Sequence, residues 1–353
     1  MAAELRTTLA GLKAYAPEAQ QGIALDANEN PLPPPEQWQR RAALALAGTA
    51  CNRYPDPLAS GLRRRLAALH GLPEQALLFG NGSDELIPLL LSAFGGTDAL
   101  CLTATPTFSM YRLCALAQGW RVAELELGQD WDLTPAFVKE ARRLRPRLII
   151  LASPNNPTGK ALNPDLVDAL RGLDGCTLVM DEAYVEFGGR SLLRASASEP
   201  GLVVLRTFSK AWGLAGLRLG WLAAEPKLIG ELEKVRLPYN VNALTQALVC
   251  EALDMAPAFL GRLPDLAQWK ERLRAALARV EGLEQWPSDA NFILFRHPEA
   301  VALRAHLLAR GLRPRAFGGG RLESCLRLSV GDGEQTQLLE DALADFVPVG
   351  RRA

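Results

Sequence analysis

From Ala76 to Ala223, short apolar runs rich in β-branched residues alternate with longer stretches of helical periodicity. That alternation predicts strand–helix units wrapped around a buried, parallel sheet. The runs are Ala76–Phe79, Ala99–Ala104, Val122–Leu127, Leu148–Ser153, Thr177–Met180, Leu202–Thr207 and Leu219–Ala223. Between them the spacing predicts helices over about 84–95, 107–119, 134–144 and 164–173. Pro88 lies past the first turn of its helix, so a kink or a later start is expected there. Upstream, Leu58, Leu62, Leu66 and Leu69 recur at helical spacing, and Asn30-Pro31-Leu32-Pro33-Pro34-Pro35 predicts a stiff, extended arm. Downstream, helical patterns over Ala243–Met255 and Leu266–Val280 lead to strands near Asn291–Phe295 and Cys325–Val330 and a closing helix near Gln335–Phe346. The fold class is therefore α/β, with a large, mainly parallel sheet flanked by helices and a second, smaller α/β unit.

Composition narrows this picture. A chain of 353 residues with 48% hydrophobic and 22% charged residues has the makeup of an ordinary globular protein of two domains. Lys plus Arg and Asp plus Glu balance at 39 each, which argues against a broad basic footprint for nucleic acid or anionic membranes. No apolar run is long enough for a membrane helix, and the start lacks the basic-then-apolar pattern of a secretory signal, so a cytoplasmic location is expected. The six cysteines are scattered without metal spacing and are expected to be reduced. With only His70, His297 and His306 as histidines, neither a Ser-His-Asp triad nor a histidine-rich metal site is expected. Small molecules are the expected partners.

In open parallel sheets ligands bind beyond the carboxyl ends of the strands. Five of the predicted strands end in unusual chemistry: Gly80-Asn81-Gly82-Ser83-Asp84, Pro106-Thr107-Phe108, Pro154-Asn155-Asn156-Pro157-Thr158-Gly159, Asp181-Glu182-Ala183-Tyr184 and Phe208-Ser209-Lys210. A parallel sheet would gather all five at one edge. Together they supply what pyridoxal phosphate needs: an amine for its aldehyde, an anion for its ring nitrogen, donors for its ring oxygen, a flat neighbour and an anion cradle. Lys210 can form the Schiff base, and it is one of only 7 lysines in a chain with 32 arginines, which cannot play that part. Asp181 ends an apolar strand, where a carboxylate needs a cation such as a protonated pyridine nitrogen. Asn156 and Tyr184 can donate to the ring oxygen. The backbone around Gly82, Ser83 and Asp84 at a helix start offers an anion site, to which Ser209 and Arg218 can add a hydroxyl and a charged fork. Phe108 can stack on the ring. Taken singly, the Asn is a turn residue, the Gly-x-Gly an ordinary turn and the aromatic a core residue.

In combination these segments resemble the fold-type I, class II pyridoxal-phosphate aminotransferases over nearly the whole chain. The resemblance is carried by Leu25-Asp26-Ala27-Asn28-Glu29-Asn30-Pro31, Asn52-Arg53-Tyr54-Pro55-Asp56, Gly80–Glu85, Ser153–Gly159, Asp181-Glu182-Ala183-Tyr184-Val185-Glu186-Phe187, Arg206-Thr207-Phe208-Ser209-Lys210-Ala211 and Gly213–Gly220. It implies a fold-type I transferase divided into residues 1–45 (an N-terminal arm and part of the small domain), 46–240 (the large cofactor domain) and 241–353 (the small domain). It also implies a homodimer in which Tyr54 reaches the phosphate of the other subunit's cofactor. Thr207 joins the cofactor set. Arg327 would grip the substrate's anionic group, with Arg315 assisting and Tyr15 closing over the substrate, while Asn156 would also touch substrate. The N-terminal segment and the Asp-Glu-Ala-Tyr-x-Glu-Phe run favour the branch that interconverts histidinol phosphate and imidazole-acetol phosphate, with glutamate and 2-oxoglutarate as the other pair. Aromatic amino-acid transamination, or decarboxylation of threonine phosphate on the same fold, is the alternative. Phe108 stands where many relatives carry Tyr, which keeps stacking and loses a phenol. A silent ligand-binding relative would not need the full set, and a nicotinamide dehydrogenase would need Gly-x-Gly-x-x-Gly, which Gly80–Glu85 does not supply.

Overall fold

The computed structural model describes residues 22–347. It opens on a short strand, β1 (Ile23–Leu25), and continues into seven strands of one sheet: β2 (Leu77–Gly80), β3 (Leu100–Thr105), β4 (Arg121–Glu126), β5 (Leu148–Ala152), β6 (Thr177–Asp181), β7 (Leu202–Thr207) and β8 (Gly220–Ala223). Each falls within a residue or so of a predicted run. Their order across the sheet is β2-β8-β7-β6-β5-β3-β4. The pairs from β7 to β4 are parallel, whereas β8 is antiparallel to both β7 and β2. Two reversals cancel, so β2 points the same way as β3, β5, β6 and β7. The strands that carry the five polar clusters therefore all end at one edge.

Helices cover both faces. Leu78, Ile150, Val179, Val203 and Leu205 pack into one core layer, while their neighbours Phe79, Ile149, Leu178, Met180, Leu202 and Val204 pack into the other, as alternation along a pleated strand requires. Every residue of β5, β6 and β7 is buried, which is why these strands read as continuous apolar runs. A second sheet holds β1 with β9 (Glu284–Gln285), β10 (Phe292–Arg296), β11 (Leu312–Ala316) and β12 (Cys325–Ser329), in the order β1-β11-β12-β10-β9. The N-terminal strand pairs in parallel with β11, so the chain start is tied into the C-terminal unit.

Several expectations need correction. The helix Ser83–Phe94 starts before Pro88 and continues through it, so the later start is not seen. The carbonyl that loses its donor belongs to Asp84, in the exposed first turn, where water can satisfy it. Residues 106–109 form a loop, and the helix there is only Met110–Ala117. Thr107 instead donates its hydroxyl to Asn155 at 2.6 Å. Leu62 and Leu66 face the core, but Leu58 precedes its helix and is exposed, as is Leu69. The extended Pro-rich segment leads directly into an unforeseen helix, Glu36–Ala47. Its Trp38 indole donates to the Leu248 carbonyl, and Leu248, Val249, Ala252 and Phe259, which the sequence reading grouped with the small domain, share the core of the seven-stranded sheet. Among the described residues no single helix is long and apolar enough to cross a membrane.

Just beyond β6 a buried ionic group braces the strand ends. Arg206 Nε donates to Glu182 Oε2 at 3.0 Å and its Nη1 to Glu186 Oε1 at 2.8 Å, while the Leu192 N–H and Ser191 hydroxyl also donate to Glu182. Burial raises both carboxyl pKa values, and Arg206 pulls them back down. Removing one partner strands the others, so Glu182→Ala is expected to cost about 3–5 kcal/mol, measured by urea unfolding. A cost below about 1 kcal/mol would show that the group does not brace the fold.

Candidate active site

Lys210, in the loop after β7, lies half-buried at the shared edge. Its Nζ donates to the Ala27 carbonyl at 2.8 Å and sits 5.6 Å from the centre of the Tyr184 ring. Tyr184, buried just past β6, packs edge-on against Phe292 of β10, and its hydroxyl accepts a 2.9 Å hydrogen bond from Asn28 Nδ2. Asn156 lies at the end of the β5 loop, where its Oδ1 accepts from Arg327 Nη1 of β12. The crevice thus takes side chains from the large sheet on one side and from the small sheet and N-terminal segment on the other.

Asp181 is the last residue of β6 and is buried. Its hydrogen-bond partners among the described residues are neutral: the Tyr111 hydroxyl at 2.6 Å and the Ala183 N–H at 3.0 Å. Burial pushes its pKa up to about 6, and the bonds from Tyr111 and Ala183 limit the rise. Phe108 stands at the same end of the sheet, half-buried and edge-on to Tyr111 with ring centres 5.6 Å apart. A buried acid with only neutral partners suits a cationic ring nitrogen.

Arg327 shows the opposite deficit. Burial lowers its pKa to about 10, with Tyr184 and the nearby Asp26 carboxylate opposing the fall and Arg315, directly across the strand pair, adding to it. A guanidinium of that basicity stays charged at neutral pH. Its partners are the Asn156 oxygen and the Asp26 backbone carbonyl, since the Asp26 carboxylate is engaged by Arg313. Its buried Nε has no hydrogen-bond partner among the described residues. A buried cation with neutral partners and a spare donor suits an anionic group of a ligand. Arg315 itself is exposed on β11.

The third deficit is at the helix Ser83–Phe94, whose N-terminus has no side-chain cap. Gly82 before it has φ +83°, and a Cβ there would lie 2.6 Å from Arg218 Nη2. Arg218, itself left-handed at φ 51°, enters at this edge because β8 runs antiparallel, and its Nη2 is 3.7 Å from Asp84 Oδ2. Gly220 is equally constrained, since a Cβ would lie 2.1 Å from the Ser83 nitrogen. Buried Thr207 and Ser209 flank the place, the Ser209 N–H donating to Thr207 Oγ1. Uncapped N–H groups, two hydroxyls and a guanidinium form a cradle for a phosphate.

Not every candidate is gathered here. Tyr54 is 82% exposed, stacked on Tyr239 at 4.6 Å on the outer surface. Tyr15 lies outside the described residues. Conversely, the sequence reading assigned no role to Tyr111 or Asn28. Tyr111 carried a usable signal, a phenol one turn after Phe108 at the end of a buried strand; Asn28 sat inside a segment noted only for its resemblance.

The family model for aminotransferase class I and II matches residues 20–343, and the chain belongs to that family. Over 347 residues, 97% of each chain, it is 40% identical to the histidinol-phosphate aminotransferase of Chromobacterium violaceum. The structure of the histidinol-phosphate aminotransferase of Sinorhizobium meliloti, solved with pyridoxal 5′-phosphate, is similar with a TM-score of 0.87 at 23% identity, covering 97% of both chains. The L-threonine-O-3-phosphate decarboxylase of Porphyromonas gingivalis is similar with a TM-score of 0.79 at 24% identity, covering 91% of this chain and 98% of that one. These last two likenesses speak to fold alone.

The raised Asp181 pKa has a consequence for the ligand-free protein. The folded value near 6 exceeds the ordinary carboxylate value of 3.8, so the folded state holds the proton more tightly and stability falls as pH rises from about 4 through 6. Asp181→Asn should remove this dependence, so that its stability relative to wild type improves by up to about 3 kcal/mol between pH 4 and pH 7. Urea unfolding across that range checks it; parallel curves for the two proteins would refute the assignment.

Proposed function

We propose that this chain is a histidinol-phosphate aminotransferase that uses pyridoxal phosphate, takes the amino group from glutamate and delivers it to imidazole-acetol phosphate. The geometry supports the chemistry: an amine, a buried acid lacking a cation and a buried guanidinium lacking an anion face one crevice. The choice of substrate rests on one observation, the 40% identity over 97% of both chains with the Chromobacterium violaceum enzyme.

When bound, pyridoxal phosphate supplies an aldehyde that captures amines and a ring that draws electrons from the substrate Cα. Lys210 is the covalent anchor and, once displaced, takes and returns the proton at that Cα. Asp181, as a carboxylate, holds the proton on the ring nitrogen. Tyr184 and Asn156 hold the ring oxygen, and Phe108 lies on a ring face. Gly82, Ser83, Asp84, Thr207, Ser209 and Arg218 hold the phosphate. Arg327, with Arg315 beside it, binds the carboxylate of glutamate or the phosphate ester of the other substrate, since a guanidinium fork fits either oxyanion. Tyr15 closes over the substrate. One anion site serving both substrates in turn accounts for the use of two different oxyanions in one crevice.

The proposal includes a homodimer. An exposed apolar surface holding Leu58, Tyr54, Leu237 and Tyr239 suits a second copy, whose Tyr54 would complete the phosphate site. A large cofactor domain and a small domain belong to the same reading, with Trp38 and residues 248–259 going to the large one because they share its core, as does a cytoplasmic location, in keeping with six free cysteines.

Purified protein given histidinol phosphate and 2-oxoglutarate should form glutamate, and Lys210→Ala should abolish that turnover. Carbon dioxide release from threonine phosphate in place of glutamate formation would overturn the substrate assignment. Arg327→Lys keeps a charge but loses the fork, so kcat/KM for both substrates should fall by at least about 30-fold, from a loss of about 2–5 kcal/mol. Steady-state kinetics reads this, and an unchanged kcat/KM would remove Arg327 from the substrate site.

A further inference from the structure

We infer that Asn28 is a positioning residue that sets the direction of the Tyr184 hydrogen bond and thereby tunes the cofactor; this rests on the function proposed above. Asn28 is buried, with 1% of its surface exposed, and holds a left-handed backbone at φ 54°, a costly state for a residue other than glycine. Both backbone polar groups are tied to the small unit. Its N–H donates to Ser329 Oγ at 2.9 Å, and its carbonyl accepts from Asn291 Nδ2 at 3.1 Å. The Ser329 hydroxyl donates a shared hydrogen bond, to the Leu25 carbonyl at 2.9 Å and to Asn28 Oδ1 at 3.3 Å. These contacts fix the amide, and its remaining group, Nδ2, donates to the Tyr184 hydroxyl at 2.9 Å.

A phenol has one proton. With its oxygen accepting from Asn28, Tyr184 keeps that proton for an acceptor in the crevice, the ring oxygen of the cofactor. A donor held on that oxygen favours its anionic form and lowers the proton affinity of the nitrogen that Lys210 joins to it. The charged and titratable groups facing Tyr184 are Lys210 from the loop after β7, Tyr111 from the helix Met110–Ala117 and Arg327 from β12, with Asp181 at the end of its own strand. None of them donates to the Tyr184 oxygen, a part that falls to Asn28. Because Asn28 is anchored through Ser329 and Asn291, the tuning also depends on how the small unit sits against the large one.

The test is a pH titration of the visible absorbance of pyridoxal-phosphate-loaded protein, with the cofactor dissociation constant, for wild type, Asn28→Asp and Asn28→Gly. A carboxylate at 28 accepts where the amide donated and draws the Tyr184 proton away from the crevice, so the absorbance midpoint should rise by about one pH unit, a tenfold change. Glycine keeps the left-handed backbone without the donor and should give a smaller rise; it decides the matter if the first variant does not fold. In a Tyr184→Phe background neither change should move the midpoint further. Midpoints equal to wild type in both variants, or equal shifts with and without the tyrosine, would overturn the inference alone. Absence of any visible band in loaded wild type would overturn the functional reading, and this inference with it.

Discussion

The antiparallel pairing of β7 with β8, inside a sheet whose other central pairs run parallel, governs what the site contains. Thr207 lies opposite Gly220, and Gly220 lies opposite Gly80, so the turn into β8 is pressed against the start of the helix Ser83–Phe94. That contact admits no side chain at Gly220 or Gly82. It brings Arg218 to the uncapped helix end and keeps β2 aligned with the strands carrying Asn156, Asp181 and Lys210. Parallel pairing throughout would send the start of β8 to the opposite edge of the sheet, and Arg218 with it.

Charge at the site is arranged as unmet need. Among the described residues Asp181 has neutral hydrogen-bond partners and a raised pKa; Arg327 has neutral hydrogen-bond partners, a lowered pKa and a buried Nε with no acceptor. Neither neutralises the other. Where the core pairs charge with charge, as Arg206 does with Glu182 and Glu186, no such deficit arises; those at Asp181 and Arg327 cost stability in the free protein and would return it when a ligand of opposite charge arrives. On the proposed function, fold stability and ligand binding are linked through the same two residues.

The buried sheet was legible because strands covered on both faces leave unbroken apolar runs, and the polar residues that interrupt those runs at their ends were legible for the same reason. Asp181, Tyr184 and Lys210 could be picked out on that logic alone. The small sheet was harder: β1 is three residues long, and in β11 Arg313, Pro314 and Arg315 leave no apolar run to mark a strand. The helix Glu36–Ala47 was hidden behind a proline run. Tyr111 and Asn28 act on partners 70 and 156 residues away in the chain, and local patterns do not carry such pairings. Tyr54 is the reverse case: motif resemblance marked it, while the single chain leaves it on the surface.

The account stands most directly on the Lys210 amine as the covalent anchor of the cofactor. Borohydride treatment of the protein with pyridoxal phosphate, followed by peptide mass mapping, reads this in one step. The account predicts a reduced pyridoxyl group on the peptide bearing Lys210, at one per chain. Label on another lysine, or no label at all, would contradict it.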